Sequence, residues 1–155
     1  MDNNYWHSRI EGTIDKCSYE FYVVHPIESI KCTCVNQATK QADPTCINCL
    51  GTGNKIKIRK IKGASNDLEV MVAGKGVRGS AAQTVGRTYF IKNKYPIGDT
   101  DMIIDKDEIF NVYRVFKKRG MEGYMTHNQV TAVPKRNDHA IVLQNFRKIM
   151  KKFGK

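Results

Sequence analysis

Four of the five cysteines cluster in the segment CTCVNQATKQADPTCINC, residues 32–49. One residue separates the cysteines of the first pair, and two residues separate those of the second. Two such pairs can converge on one metal ion and complete a tetrahedral site of four thiolates. The sequence therefore contains a candidate metal site whose ligands are Cys32, Cys34, Cys46 and Cys49.

Zinc is the first choice of ion because four thiolates in a closed tetrahedron suit it, and iron is the second. The competing interpretations are two disulfides or four unrelated thiols. The polar N-terminus MDNNYWHSRIEGTIDK lacks the apolar segment of a secretory signal. We therefore expect folding in a reducing cytosol, where clustered cysteines more often bind metal. The remaining cysteine, Cys17, lies in a β-rich stretch and is expected to be a buried free thiol.

The predicted zinc is structural, because four cysteine ligands leave no open position for a metal-bound water. The H-x-E arrangement of zinc deaminases is absent from the sequence. Gly51 and Gly53 in CINCLGTG can supply the positive φ angles that turns around metal-bound sulfurs need. His25 is a weak candidate to hydrogen bond a metal ligand.

The string GKGVRG, residues 74–79, is interpreted as a flexible loop, since no helix pattern follows it. We expect no enzymatic activity.

The charge balance favours an anionic partner. Twenty-six Lys and Arg stand against fifteen Asp and Glu, giving a net charge of +11. Solvated faces that keep the protein soluble are the alternative explanation. There is no apolar run near the length of a membrane span. The residues that we consider for contact with DNA or another anion are Lys55, Lys57, Arg59, Lys75, Arg78, Arg147, Lys148, Lys151 and Lys152.

The rest of the chain reads as a mainly β protein. The stretch YEFYVVHPIES is typical of a strand that ends at Pro26, and Tyr5 to Ile14 can form a short helix. After residue 54, five or six short segments rich in Val, Ile, Tyr and Phe predict a small antiparallel barrel or sandwich. DKDE between Ile104 and Ile109 predicts a hairpin turn.

In the C-terminal segment, the spacing of the apolar residues changes from that of a strand to that of a helix. Its apolar residues recur at helical spacing opposite basic ones, which predicts an amphipathic helix with Asp138 as N-cap. Four regions result: an N-terminal segment packing on the β domain (1–31), a four-cysteine zinc module (32–53), a β-barrel-like domain (54–137) and a basic amphipathic tail (138–155). The apolar face of the tail consists of Val142, Phe146, Ile149, Met150 and Phe153.

The cysteine module resembles one found in known proteins. CINCLGTG is similar to the knuckles of DnaJ-type chaperones, which occur as repeats. The longer string DPTCINCLGTG, with an upstream cysteine pair and a downstream β domain, resembles neck, head-completion and tail-joining proteins of tailed bacteriophages. YPIGDTDMIIDKDEIFNVYRVF and VTAVPKRNDHAIVLQ extend this resemblance, which covers about residues 32–145.

The resemblance implies a structural virion protein, assembled in the host cytoplasm, that forms a homo-oligomeric ring in the head–tail connection. Its implied partners are other neck, tail or portal-associated proteins, with non-specific contact to packaged DNA as a further option and no membrane. A tail or baseplate component is the alternative within this class. A zinc-ribbon nucleic-acid-binding regulator is the main alternative outside it, and a folding helper is a third.

Overall fold

The computed structural model describes residues 3–72, 82–119, 125–135 and 139–153. Within these residues, two helices flank six strands. Their bounds are α1 Asn3–Cys17, β1 Tyr19–Lys31, β2 Asn54–Val72, β3 Ala82–Lys92, β4 Met102–Asp105, β5 Glu108–Arg119, β6 Met125–Pro134 and α2 His139–Phe153.

The six strands form a closed antiparallel barrel in the order β1-β2-β3-β6-β5-β4. This confirms the predicted mainly β class with a barrel, an inserted cysteine cluster and a C-terminal helix. The boundaries differ in one respect, because β1 belongs to the barrel itself. The β domain therefore begins at Tyr19 rather than residue 54, and the cysteine module interrupts the barrel between two paired strands.

β1 also continues past Pro26 to Lys31, so the expected end of the strand at this proline is wrong. The reason lies in the pairing of β1 with its two neighbours. β4 pairs with β1 only over Tyr22–Val24, whereas β2 continues to pair with β1 at Pro26. A proline lacks the backbone N–H, and it is tolerated where a strand has a neighbour on one side only.

The barrel interior is filled by alternate side chains of the strands, as expected for a small barrel. Phe21 and Tyr89 lie with ring centroids 4.9 Å apart, and Tyr89 contacts Phe110 edge-on at 6.0 Å. The buried members of this cluster are Phe21, Val23, Ile61, Tyr89, Ile91, Ile103, Phe110, Val112, Val130 and Ala132.

A second apolar cluster lies between the barrel and α2. The helix buries Val142, Leu143 and Phe146 against residues of β1, β2, β4 and β5. Tyr22 of β1 meets the Phe146 ring edge-on at 5.1 Å. The predicted helical tail is thus a helix packed on the barrel wall. Asp138 and the Phe153 side chain lie outside the described residues.

A polar network surrounds Asp105, the last residue of β4, which is buried. The carboxylate accepts hydrogen bonds from the Tyr19 hydroxyl at 2.5 Å, the Tyr89 hydroxyl at 3.1 Å and Arg87 Nη1 at 2.9 Å. Burial, followed by the hydrogen bond to Asp105, raises the pKa of Tyr19 to about 12. The β4–β5 turn follows directly, with Lys106 at φ 55°, and confirms the predicted hairpin.

α1 extends beyond the short helix expected at Tyr5 to Ile14. It buries Ile14, and Asp15 forms an ion pair with Lys92 of β3 at 2.7 Å. Cys17 ends the helix and is exposed, so the expectation of a buried thiol is wrong. The residue belongs to the end of a surface helix and not to the following strand. Within the described ranges, neither helix is long and apolar enough to cross a membrane.

Candidate metal centre

The cysteine module connects the end of β1 to the start of β2. The Cys32 N–H donates to the Gly53 carbonyl at 2.9 Å, directly beyond the Lys31–Asn54 pair of the two strands. This bond closes the base of the loop. The barrel hairpin therefore fixes where the module begins and ends.

The four predicted ligands come together, with all Sγ atoms within 4.8 Å of one another. Cys32 Sγ lies 3.8 Å from Cys46 Sγ, and Cys34 Sγ lies 3.4 Å from Cys49 Sγ. All four cysteines are free thiols. Bonds of about 2.3 Å in a tetrahedral site of four sulfurs place these atoms about 3.8 Å apart. The donor set and its spacing therefore fit a thiolate-bound metal ion.

A local turn positions the second cysteine pair. The Asp43 carboxylate accepts bonds from the Thr45 N–H at 2.8 Å and the Thr45 hydroxyl at 2.7 Å, and the Cys46 N–H donates to the Asp43 carbonyl at 3.1 Å. Asp-Pro-Thr thus forms the tight turn that leads into the second pair.

Two glycines continue the chain away from the second pair. Gly51 and Gly53 adopt φ angles of 78° and 76°, which confirms their expected left-handed conformation. A Cβ atom at Gly51 would also lie 3.3 Å from the Pro44 carbonyl oxygen, and one at Gly53 would lie 3.1 Å from Ala42 Cβ. Both backbone conformation and space therefore favour glycine here.

The thiol pKa values in the cluster are shifted in different directions. A hydrogen bond from the Cys34 N–H lowers the pKa of the Cys32 thiol to about 7. Burial raises the pKa of Cys49 to about 12, although the N–H groups of Gly53 and Gly51 oppose this shift. Burial also raises the pKa of Cys34. Four thiolates this close repel one another, and a bound dication supplies the charge that stabilises them together.

Leu50, a residue that the sequence analysis did not select, anchors the module to the protein. Its side chain is fully buried among Val24, Met102, Val142 and Phe146, although its backbone has a φ angle of 51°. Leu50 directly follows Cys49. The available sequence signal was a large apolar side chain directly after the last cysteine of the module.

Asn145 of α2 forms a second tie that the sequence did not indicate. Its Nδ2 donates to the Thr45 carbonyl at 2.8 Å, and Asn145 is itself buried. The C-terminal helix thus provides a contact with the module in addition to the barrel hairpin. This contact spans almost the whole distance between the module and the C-terminus in the sequence, so no local pattern could predict it.

The predicted anion-facing residues do not form one surface. Lys57 and Arg59 alternate with Ile56 and Ile58 on β2, and the two isoleucines belong to the cluster under α2. The side chains of Lys57 and Arg59 therefore project from the face of β2 opposite to that of the two isoleucines. Arg147 pairs with Asp107 at 2.5 Å, and the side chains of Lys148, Lys151 and Lys152 are exposed on α2. Lys75 and Arg78 lie outside the described residues.

His25 does not contact the cysteines as a hydrogen-bond partner. Its Nδ1 lies 2.5 Å from Oδ1 of the buried Asp101, and Asp101 Oδ2 accepts the Gly98 N–H at 3.0 Å. The histidine therefore belongs to a polar contact around Asp101, directly before β4.

An open groove of about 940 Å³ lies between the metal module, β2 and the second half of α2. Ile47 and Asn48, which separate the cysteines of the second pair, form part of its wall. Lys31, Lys55, Lys60 and Lys152 line it as well, and none of its described lining residues is acidic, although Lys60 forms an ion pair with Glu20 at 2.5 Å. The apolar residues that line the groove are Tyr22, Ile30, Ile47, Ile56, Ile58, Ile149 and Met150.

Fold and site together define a small closed β-barrel with a four-cysteine candidate metal centre. No protein-family model matches the sequence, and no curated protein is significantly similar to it.

Proposed function

We propose that this chain is a structural protein of a tailed-phage virion, without catalytic activity, that assembles as a ring in the neck between head and tail. A place in the tail or baseplate is the alternative within this class. The virion assignment rests on the sequence resemblance over residues 32–145. The observation that carries the structural role is the position of the cysteine cluster, which supports one wall of an apolar groove.

Cys32, Cys34, Cys46 and Cys49 would hold a zinc ion, with iron as the second choice. Four thiolates fill the coordination sphere of zinc, and zinc is redox-inert, as a purely structural role requires. The bound ion would fix the turns that carry Ile47 and Asn48. Its effect is therefore to shape a contact surface.

The groove supports a role in assembly because it gathers seven large apolar side chains, one exposed (Ile30) and six half-buried, and contiguous apolar patches often mark interaction sites. We assign it to a neighbouring virion subunit that presents apolar side chains with acidic ones around them. Lys31, Lys55 and Lys152 at the groove complement such a segment, whereas Lys60 is already paired with Glu20. In a ring, each protomer presents two different surfaces to its neighbours, and the groove would be one of them.

The test is quantitative mass spectrometry of particles purified from the phage that carries the gene. We expect the chain at a copy number typical of a ring protein. Cys46→Ser should be lost from particles because it removes a ligand. Cys17→Ser is the matched control and should be incorporated normally, because Cys17 is exposed at the end of α1. Absence of the wild-type chain from particles would refute the virion role, and normal incorporation of Cys46→Ser would refute the structural metal.

The second candidate function is a zinc-ribbon nucleic-acid-binding regulator. The net charge of +11 and a basic, aromatic stretch of β5 favour it. A regulator would bind short duplexes with steep salt dependence and a clear sequence preference. A virion component would bind them weakly and without sequence preference.

A further inference from the structure

The second half of β5, residues 113–119, is basic and aromatic. Its sequence YRVFKKR has four basic residues and two aromatic ones, with no acid, and its strand partner β6 has no acid either. Arg114, Lys117, Lys118 and Arg119 are all exposed. No acidic residue lies within residues 113–119 or within β6, so neither of these two stretches supplies a carboxylate that neutralises this charge. Glu122, between the two strands, lies outside the described residues.

The strand geometry leaves this segment accessible. β4 pairs with β5 only over Glu108–Asn111, so from Val112 onward β6 is the one strand partner of β5 among the described residues. The pairing with β6 also shifts between Val112 and Arg114, which makes Tyr113 the extra residue of a bulge. Bulges re-aim side chains and often occur at functional positions.

Both aromatic side chains are exposed despite their size. Tyr113 is 46% exposed and Phe116 is 39% exposed. Arg114 Cζ lies 4.7 Å from the centre of the Phe116 ring, and Lys118 Nζ lies 5.6 Å from it. These three residues alternate along one face of the strand and form a row of cation, ring and cation.

We propose that residues 113–119 bind single-stranded nucleic acid. Bases would stack on Tyr113 and on Phe116 or the Arg114 guanidinium, and the basic side chains would contact the phosphates. Stacking platforms between cations are the usual basis of sequence-tolerant single-strand binding. An acidic protein segment would use the cations and leave the aromatic rings without a role. This site is independent of the proposed virion function.

Protection against aggregation is the competing explanation for the basic residues, because lysines on strand edges block pairing with other chains. That role requires charge and gives no function to an exposed ring. The two explanations therefore differ in what they predict for Phe116.

The test measures binding of fluorescein-labelled dT20 to the full-length, metal-loaded protein by fluorescence anisotropy over a range of salt concentrations. Phe116→Ala should weaken binding by about 5- to 150-fold, the usual effect of removing one stacking ring. Phe116→Tyr keeps the ring and should bind as wild type. The pair Arg114→Ala and Lys118→Ala should lower the salt slope by about 1.4, because each phosphate contact contributes about 0.7 for single strands.

The matched control is the pair Lys16→Ala and Lys62→Ala, which removes the same charge from exposed positions on α1 and β2. It should change affinity much less than the β5 pair does, because interactions between exposed charges more than about 10 Å apart are largely screened by salt. The proposal is overturned if dT20 does not bind at low salt, if Phe116→Ala binds like wild type, or if the control pair loses as much affinity as the β5 pair. Displacement of dT20 by polyglutamate at equal charge concentration would also overturn it and indicate an acidic protein partner.

Discussion

Leu50→Ala tests whether the metal module is held to the barrel by one buried side chain. Leu50 is fully buried between α2 and the outer face of the barrel, next to Cys49. Alanine keeps a Cβ atom at the φ angle of 51°, so the substitution removes packing without relieving the backbone. A Leu50→Gly substitution would remove the packing and relax the backbone at the same time, so it is not a useful replacement.

The expected loss in the free energy of unfolding follows from the complete burial of the Leu50 side chain. Leu→Ala substitutions in cores cost about 2–5 kcal/mol, and more where the surroundings cannot collapse into the cavity. Strands on one side and α2 on the other restrict collapse around Leu50, so we expect about 3 kcal/mol. For a chain of this size, that corresponds to a decrease in Tm of about 6–12 °C.

The assay is urea unfolding of metal-loaded protein, followed by circular dichroism, together with the rate of metal transfer to a chromophoric chelator. Ile30→Ala is the control because Ile30 is 45% exposed, and it should cost less than about 0.5 kcal/mol. Leu50→Ala should also release metal several-fold faster than this control. Equal stability and equal release rates for the two variants would refute the anchoring role of Leu50.

Two further predictions concern the polar contacts at the module and around Asp105. Asn145→Ala should lower the free energy of unfolding in urea by about 1 kcal/mol, because it removes the hydrogen bond to the carbonyl of the exposed Thr45. The loss is modest because water can take the place of the Asn145 amide at this carbonyl. The pKa of Tyr19 is about 12 in the folded state, whereas an unfolded tyrosine titrates near 10. The folded state thus retains this proton longer, and its stabilising effect should be lost as pH rises from about 10 to 12. Between pH 9 and pH 11.5, the free energy of unfolding should therefore fall more for wild type than for Tyr19→Phe.

Each of these two predictions has a clear contradicting result. An Asn145→Ala variant as stable as wild type would show that α2 holds the module through Leu50 alone. An equal loss of unfolding free energy in wild type and Tyr19→Phe would show that the Tyr19 hydroxyl is not coupled to Asp105. Gln144→Ala, an exposed change on α2, is the control for the helix substitution.

The sequence was sufficient to predict features that depend on local spacing. The two cysteine pairs and their glycines come together as expected, because ligand spacing and positive φ angles are local properties. The apolar period of the last helix correctly predicted its buried face through Val142 and Phe146. The acidic turn before Glu108 was likewise recognisable from a few residues.

Features that depend on strand register were not predictable in this way. Two of the short segments expected after residue 54, residues 55–61 and 67–72, belong to the single strand β2. This strand pairs with β1 first and β3 later, and Gly63 is the residue shared by both pairings. A Cβ atom at Gly63 would lie 2.8 Å from the Phe90 carbonyl oxygen and 3.2 Å from the Phe21 ring. The glycine therefore permits close packing, although it resembles a turn in the sequence.

The most direct test of the metal centre is zinc-edge X-ray absorption spectroscopy on purified protein, combined with metal analysis by mass spectrometry. We predict one zinc per chain, bound by four sulfurs at about 2.3 Å, and loss of the metal in Cys46→Ser but not in Cys17→Ser. A metal-free protein that keeps its fold, or a first shell containing nitrogen or oxygen, would contradict the account.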